Sequence, residues 1–178
     1  MMHFTAPSTD RRQTVTNNKI AGCLIGSRLL AGDLERIREH YFGLTLEARL
    51  KRFGGFIGDD GLDKYVDSID FDRKVLLGLE WAETGDLVGL AELWFDDPST
   101  PIAAEIAVSV NGDWRGKGLG LRLVADAVGI AFARGAGRVE FLFEPNNQAI
   151  KRIVRELGGR IDPFAGKAVL TAPMPIAA

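Results

Sequence analysis

A glycine-rich turn between a strand and a helix is the feature that most constrains this chain. Residues 114–120 read Trp-Arg-Gly-Lys-Gly-Leu-Gly. The apolar run 103–110 precedes the turn, and apolar residues at helical spacing fill 119–134. Glycines allow a ligand to approach the backbone, and the first N–H groups of a helix point outward with the positive end of its dipole. With Arg115 and Lys117 adding positive charge, the sequence predicts a phosphate or pyrophosphate site.

Two common phosphate-binding motifs do not match this turn. A Walker loop requires Ser or Thr after Gly-Lys, but Gly118 follows Gly116-Lys117. A Rossmann fingerprint requires a third glycine, and Leu121 or Leu123 stands at that position. The turn therefore belongs to another class of anion-binding loop.

The remaining patterns predict helices followed by an antiparallel meander, and then an alternation of helix and strand. Apolar residues at helical spacing indicate the helices, and dense or alternating apolar runs indicate the strands. The predicted strands are 20–30, 74–83, 87–95, 103–110, 139–143 and 167–170. The predicted helices are 34–42, 46–53, 62–69, 119–134 and 147–157.

Size and composition favour one globular domain. The chain has 178 residues, of which 46% are hydrophobic and 26% charged. We expect a flexible arm at 1–18, a single domain at 19–171 and a loose tail at 172–178. The net charge of -2 argues against general binding of nucleic acid. Without a recognisable targeting segment or apolar span, the expected location is the cytoplasm.

No metal site is expected. The sequence has one cysteine, Cys23, and two histidines, His3 and His40. One cysteine permits no internal disulfide, and these three side chains do not form a usual zinc ligand set. We interpret Cys23 as a buried small hydrophobic residue.

The order of Arg115, Gly118 and Gly120 resembles the acetyl-CoA loop of the GCN5-related N-acetyltransferase (GNAT) family. A second signature of that family, an Asn-led helix ending in Leu-Gly, is similar to the segment from Asn147 to Gly158. The resemblance spans roughly residues 20–170. It implies an α/β fold of the α+β type, in which helices flank a mixed, mostly antiparallel sheet. That sheet would splay between the strand before the loop and the strand after the next helix.

The resemblance also implies how acetyl-CoA would bind. The pantetheine arm would lie in the splayed gap and pair with the backbone as an added strand does. The pyrophosphate would rest on the N–H groups of the loop. Asn147 could bond the arm, cap its helix, or do both. The binding residues so implied are Val108, Val110, Arg115, Gly116, Lys117, Gly118, Leu119, Gly120 and Asn147.

The implied reaction is transfer of an acetyl or other acyl group to a primary amine. Segments 44–53 and 66–72 look like the corresponding parts of bacterial protein-lysine acetyltransferases, which favours a protein lysine as acceptor. A small amine is the alternative acceptor. A catalytically inactive acyl-CoA sensor or scaffold is the alternative function. The sequence leaves open a homodimer and a closing movement of the loop 53–60.

A carboxylate is expected to take the proton of the attacking amine. Glu105 is the leading candidate, because Ala-Glu-Ile-Ala-Val resembles the segment that carries the base in lysine acetyltransferases. Glu92 and Glu140, on neighbouring predicted strands, are rivals. Many relatives carry a tyrosine acid on the last long helix, but here the only tyrosines, Tyr41 and Tyr65, come early. The proton donor to the leaving thiolate is left unassigned.

Overall fold

A single seven-stranded sheet organises the computed structural model, which describes residues 23–162 and 164–172. The predicted arm at 1–18, His3, and the tail beyond residue 172 lie outside the described residues. The strand order is β1-β2-β3-β4-β5-β7-β6, and only the β4–β5 pair is parallel. The strands are β1 (Leu24–Leu29), β2 (Lys74–Trp81), β3 (Leu87–Phe95), β4 (Ala103–Val110), β5 (Arg138–Leu142), β6 (Arg160–Asp162) and β7 (Lys167–Thr171).

Five α-helices flank this sheet within the described ranges. They are α1 (Leu34–Phe42), α2 (Leu46–Phe53), α3 (Asp59–Asp67), α4 (Leu119–Ala133) and α5 (Gln148–Glu156). Local chemistry fixes the ends of α2: the Thr45 side chain accepts a hydrogen bond from the Ala48 N–H, and Gly54 adopts a left-handed conformation (φ 69°) at the C-terminus. The predicted mixed α/β architecture is confirmed.

The helices bury both faces of the central strands. Apolar residues of α4 and α5 pack on one face, and those of α1, α2 and α3 pack on the other. In β3, Ala91 and Leu93 face the first group, whereas Leu90 faces the second. A strand covered on both sides is apolar almost throughout, which explains the dense run that predicted β3.

Several elements differ in their bounds from the sequence prediction, and one strand, β6, was not predicted. Helix α3 begins at Asp59 rather than at residue 62, because Asp59 and Asp60 stand in its first turn, where carboxylates favour the positive end of the helix dipole. Strand β5 begins and ends one residue earlier than predicted. Strand β6 was not expected, since three residues carry too little alternation to signal a strand.

The predicted splay of the sheet lies between β4 and β5. Their parallel pairing begins at Ala103↔Arg138 and ends at Ile106↔Phe141. Beyond Ile106, β4 keeps its pairing with β3 as far as Val110. The sheet therefore opens along the last four residues of β4, on the side that faces β5.

The apolar residues between the sheet and helices α1, α2 and α3 form a second core. Gly78 of β2 packs tightly against this second core and so offers a test of it. A Cβ at Gly78 would lie 2.7 Å from Leu87 Cδ2 and 3.1 Å from Leu29 Cδ2. We expect Gly78→Ala to lower the free energy of unfolding by about 1–3 kcal/mol through overpacking, measured by urea denaturation. Gly129→Ala is the matched control: it meets nothing within 4 Å on α4, and should raise that free energy by about 0.5–1 kcal/mol. Equal effects would contradict this packing.

Candidate functional site

A cavity of about 660 Å³ fills the gap between β4 and β5. Its floor is the open edge of β4, and α2, α5 and the glycine-rich loop form its walls. The wall residues belong to segments distant in sequence. They are Ala48, Lys51 and Arg52 of α2, residues 106–110 of β4, residues 114–116 and 118–121 of the loop and α4, residues 141–143, residues 146–150, Arg152, Ile153 and Glu156.

The loop presents a row of unused backbone donors to this cavity. Gly116 and Gly118 take positive φ values of 72° and 81°, which only glycine adopts without strain. No backbone N–H of residues 116–121 donates to another described residue; the first that does is that of Arg122, to the Gly118 carbonyl oxygen at 3.1 Å. Free N–H groups at the N-terminus of a helix bind anions.

The two basic side chains of the loop take different positions. Arg115 lines the cavity, and its Nε donates to the Val110 carbonyl oxygen at 3.1 Å. Lys117 is not among the lining residues; its Nζ lies 4.9 Å from the centre of the Trp114 ring, which in turn packs on Trp81. The structure thus brings Arg115 to the cavity and places the Lys117 ammonium over an aromatic surface.

The remaining predicted binding residues meet at the cavity. Val108 and Val110 are half-buried on the open edge of β4. Leu119 lines the cavity, and its side chain is buried in the core beneath it. At Gly120 a Cβ would lie 3.3 Å from Ile153 Cδ1, so a larger residue would press α4 away from α5.

Asn147 combines a structural role with a position in the cavity wall. Its side-chain oxygen accepts a hydrogen bond from the Ile150 N–H at 3.2 Å and caps α5. The residue is buried, yet the side-chain Nδ2 has no hydrogen-bond partner within the described ranges. Capping uses the oxygen and leaves the amide N–H groups for another acceptor.

Glu105 lies just outside the gap. It is half-buried on β4, opposite Trp94 of β3 and Glu140 of β5, at a level where the two strands are still paired. It is not among the cavity-lining residues, whereas its neighbour on the same sheet face, Ala107, is. Glu140 pairs with Arg138, with Nε 2.6 Å from Oε1.

Glu92 is enclosed by a polar network instead of facing the gap. Its Oε1 lies 2.6 Å from Arg52 Nη2 and accepts from the Tyr41 hydroxyl. Its Oε2 accepts from the Tyr65 hydroxyl at 2.7 Å and from Lys74 Nζ at 3.1 Å. Burial alone would raise the pKa of Glu92, but the two cations and two hydroxyls outweigh it and hold the pKa at about 2. Such a carboxylate is a poor proton acceptor near neutral pH.

Helix α2 contributes cavity residues that the sequence analysis did not identify. Arg52 lines the gap while its side chain is only 7% exposed. Its guanidinium also stacks on Phe53, 4.8 Å from the ring centre. The sequence shows only a charged, amphipathic helix, and no local pattern indicates which basic residue turns inward. Two arginines three residues apart, Arg49 and Arg52, look equivalent until the fold places one of them on Glu92.

His40, which the sequence analysis did not expect to bind a metal, has a buried ring whose two nitrogens are both within hydrogen-bond distance of a partner. Its Nδ1 lies 2.9 Å from the Leu87 carbonyl oxygen, and its Nε2 lies 2.8 Å from Ser109 Oγ. A carbonyl only accepts, so Nδ1 carries the proton and Nε2 accepts from the Ser109 hydroxyl. Burial, helped by the charge of Arg52, lowers the pKa of His40 to about 4. The neutral ring ties α1 to the floor strand β4.

Three further observations concern the described residues. No group of three or more His, Cys, Asp or Glu side chains among them could hold a metal ion. Cys23 is a free thiol and is partly exposed, so the expected burial was wrong; it stands in a turn before β1 and outside the packed sheet. None of the helices in these ranges is long and apolar enough to cross a membrane.

Comparison with protein families gives one match that spans this site. The family model described as "Acetyltransferase (GNAT) family" matches residues 50–158, which is more than half of the chain. The matched segment runs from α2 to the end of α5 and includes the loop, β4 and Asn147.

Solved structures of similar fold include three bacterial proteins. The GNAT domain of S. lividans PAT is 19% identical, with 83% of this chain and 89% of that chain covered and a TM-score of 0.67. The yncA protein of Salmonella typhimurium, solved with its cofactor acetyl-CoA, is 20% identical, with 87% and 97% covered and a TM-score of 0.64. A cAMP-binding acyltransferase from Mycobacterium smegmatis is 18% identical, with a TM-score of 0.57; 92% of this chain matches 52% of that one. At these identities the likeness is one of fold.

The buried histidine predicts how stability depends on pH. His40 binds a proton at about pH 4 when folded and near pH 6.5 when unfolded, so the unfolded chain takes up more protons between these values. Stability is therefore lost as the pH falls. We expect the wild-type free energy of unfolding to drop by about 2 kcal/mol more than that of His40→Asn between pH 7.5 and pH 5. Urea denaturation at both pH values measures these free energies. An equal drop in the wild type and in His40→Asn would contradict the lowered pKa of His40.

Proposed function

The chain belongs to the GNAT acetyltransferase family, whose members use acetyl-CoA, and we propose that it transfers the acetyl group to a primary amine with Glu105 as the general base. One observation carries the proposal. The open edge of β4 and the free backbone amides of the loop border one gap, and a half-buried carboxylate stands on the same strand just before that gap begins.

The gap has the chemistry that acetyl-CoA requires. The six unused N–H groups of residues 116–121, together with the Arg115 charge, suit a pyrophosphate. The unpaired edge of β4 beyond Ile106 suits an extended chain with amide groups, such as pantetheine. Asn147 Nδ2 supplies a donor on the opposite wall. Most of these proposed contacts with acetyl-CoA come from backbone groups, and only Arg115 and Asn147 contribute side chains.

The chemical step is a direct attack on the thioester. The amine nitrogen forms a bond with the acetyl carbon, the carbon–sulfur bond breaks, and CoA leaves as a thiolate. The attacking nitrogen loses a proton, which Glu105 accepts directly or through water. A backbone N–H near Val108 is our candidate for stabilising the tetrahedral oxyanion. No tyrosine lines the gap among the described residues, so we propose that the thiolate leaves unaided or takes a proton from water.

The choice of Glu105 over its rivals follows from their surroundings. Both oxygens of Glu92 are occupied by Arg52, Lys74 and two hydroxyls, which favours its role as a buried counter-ion. Glu140 is held by Arg138. Within the described ranges, Glu105 has no salt-bridge partner, and it lies two residues before Ala107, which lines the gap.

Two classes of acceptor are considered, one supported by the sequence and one by the shape of the gap. A protein lysine is supported by the resemblance of 44–53 and 66–72 to protein-lysine acetyltransferases. A small amine is supported by the enclosure of the gap by α2 on one side and α5 on the other. The homodimer that the sequence leaves open and the cytoplasmic location that it favours stay predictions.

The loop assignment predicts the effect of a branched side chain at Gly118. Because Gly118 takes φ 81° and has open space around it, Gly118→Val should distort the loop by backbone strain alone. We expect acetyl-CoA affinity to fall at least about tenfold in calorimetric titration. Gly112→Ala is the control, since Gly112 lies before the loop with no positive φ and nothing within 4 Å. Unchanged affinity in Gly118→Val would remove the loop from the binding site.

The base assignment predicts a loss of rate without a loss of binding. Glu105→Gln keeps the size of the side chain but cannot accept the proton, so kcat should fall by about 10²- to 10⁴-fold. Its dissociation constant for acetyl-CoA should stay within about threefold, which is below 1 kcal/mol. Release of free CoA thiol in the presence of an amine panel measures turnover, and calorimetry measures binding.

Glu140→Gln is the matched control for this experiment, because it changes the carboxylate directly across the ladder. A large loss of rate in Glu140→Gln alone would transfer the base role to Glu140. Normal rates in both variants would assign it to water. A wild-type protein that binds acetyl-CoA but acetylates no amine would contradict the proposed function and favour the acyl-CoA sensor.

A further inference from the structure

The network around Glu92 contains more positive than negative charge. Arg52 and Lys74 both contact the one carboxylate of Glu92. Burial raises the pKa of Tyr41 and Tyr65, so both hydroxyls are neutral donors near neutral pH. Arg52 stays charged, because Tyr41 and Glu92 outweigh burial and raise its pKa. One buried carboxylate thus faces two cations, and an excess positive charge remains beside the gap.

The pairing of β3 with β4 gives the position of Arg52 along the gap. Glu92 is the cross-strand partner of Ala107, so Arg52 lies over the part of β4 just beyond Ile106. The other end of α2 lies towards the glycine-rich loop: the pKa of Glu47 is lowered by Lys51 and also by the charge of Arg115. Helix α2 therefore runs beside β4 from the phosphate end of the gap to the end nearest Glu105.

The phosphates of acetyl-CoA do not account for Arg52. They would bind the amides of residues 116–121 at the far end of β4, beside Arg115. Within the described ranges Arg52 Nη1 has no hydrogen-bond partner, and its Nε is buried without one. An arginine that lines a cavity, shares its one carboxylate partner with a second cation and has a terminal nitrogen without a partner in the described ranges fits an anionic group.

We propose that the acceptor is a small aminocarboxylate, a primary amine that carries its own carboxylate, and that Arg52 binds this carboxylate. The inference rests on the proposed function, in which Glu105 receives the proton of the amine. Arg52 is then a specificity-determining residue, and the network of Glu92, Tyr41 and Tyr65 holds its guanidinium in place.

The two charged groups suit the two ends of such an acceptor. Glu105 and Ala107 lie on the same face of β4, about 7 Å apart along the strand, and Ala107 marks the level of Arg52. An amine directed to Glu105 therefore has its carboxylate within reach of Arg52. A cationic lysine-rich peptide would instead bring positive charge towards Arg52 and Lys51, which both line the gap.

The first test needs no variant. Wild-type protein saturated with CoA is titrated calorimetrically with free α- and ω-amino acids and with the matching amides, which keep the amine and lose the carboxylate. We expect at least one free amino acid to bind at least tenfold more tightly than its amide. The same pairs are then compared as acceptors with acetyl-CoA, and the preference should appear mainly in KM.

The second test assigns the preference to Arg52. Arg52→Gln retains hydrogen bonding but removes the charge, and should abolish most of the preference while acetyl-CoA binding stays unchanged. Arg49→Gln is the control: Arg49 belongs to the same helix but pairs with Asp59 at 2.6 Å and does not line the gap. It should keep the preference of the wild type.

The outcomes separate this inference from the proposed function. Equal binding of amino acids and amides by wild-type protein would overturn the inference, even where amines are acetylated, and it does not depend on the folding of any variant. A preference that survives in a folded Arg52→Gln protein would also overturn it. Lysine peptides that bind and react better than every free amino acid would overturn it and return the acceptor to protein lysine. Failure of all amines as acceptors would count against the proposed function, whereas the binding comparison would still decide the inference.

Discussion

The end of strand pairing at Ile106 and Phe141 is the constraint on which the rest of the site depends. Four residue pairs hold β4 and β5 together; beyond them, the edge of β4 that faces β5 pairs with no other described strand. The N-terminal turn of α4 and the side of α5 meet at Gly120 and Ile153, which keeps both helices beside the opening. The gap lies at this one break in the sheet, and the backbone donors of the loop and the helix-capping Asn147 are arranged around it.

The polar network around Glu92 connects the second core to the gap. A buried carboxylate such as Glu92 is costly to desolvate and is tolerated only when it is paired and hydrogen-bonded. Here Arg52, Lys74, Tyr41 and Tyr65 provide those contacts. The same contacts hold α2 against the sheet, so the stability of this core and the shape of the gap are coupled. His40 makes a similar link from α1 to Ser109, without a charge.

In the function proposed above, the two ends of the gap recognise their ligands by different means. At the loop, the proposed contacts are backbone N–H groups, which glycine supplies as well as any other residue. At the other end, the groups that distinguish one acceptor from another are the side chains of α2 and β4. This arrangement allows one nucleotide-binding framework to accept different amines, because the helix that carries Arg52 can change without altering the loop.

The sequence by itself determined the helices, the long strands and the loop, because their signals are local: periodicity, capping residues and glycine spacing. Strands β3 and β4 have the predicted bounds. Residues Arg115 to Gly120 and Asn147 were found by pattern, and the roles proposed for them still await experiment. Only the tertiary structure decided which charged side chains meet. Glu92, Arg52 and Lys74 are far apart in sequence, and nothing local distinguishes a buried counter-ion from a base or Arg52 from Arg49. Strand β6 was missed because a three-residue strand depends on packing with distant elements. The start of α3 was missed because its first turn, Asp59 to Gly61, has no apolar residue to signal helical spacing.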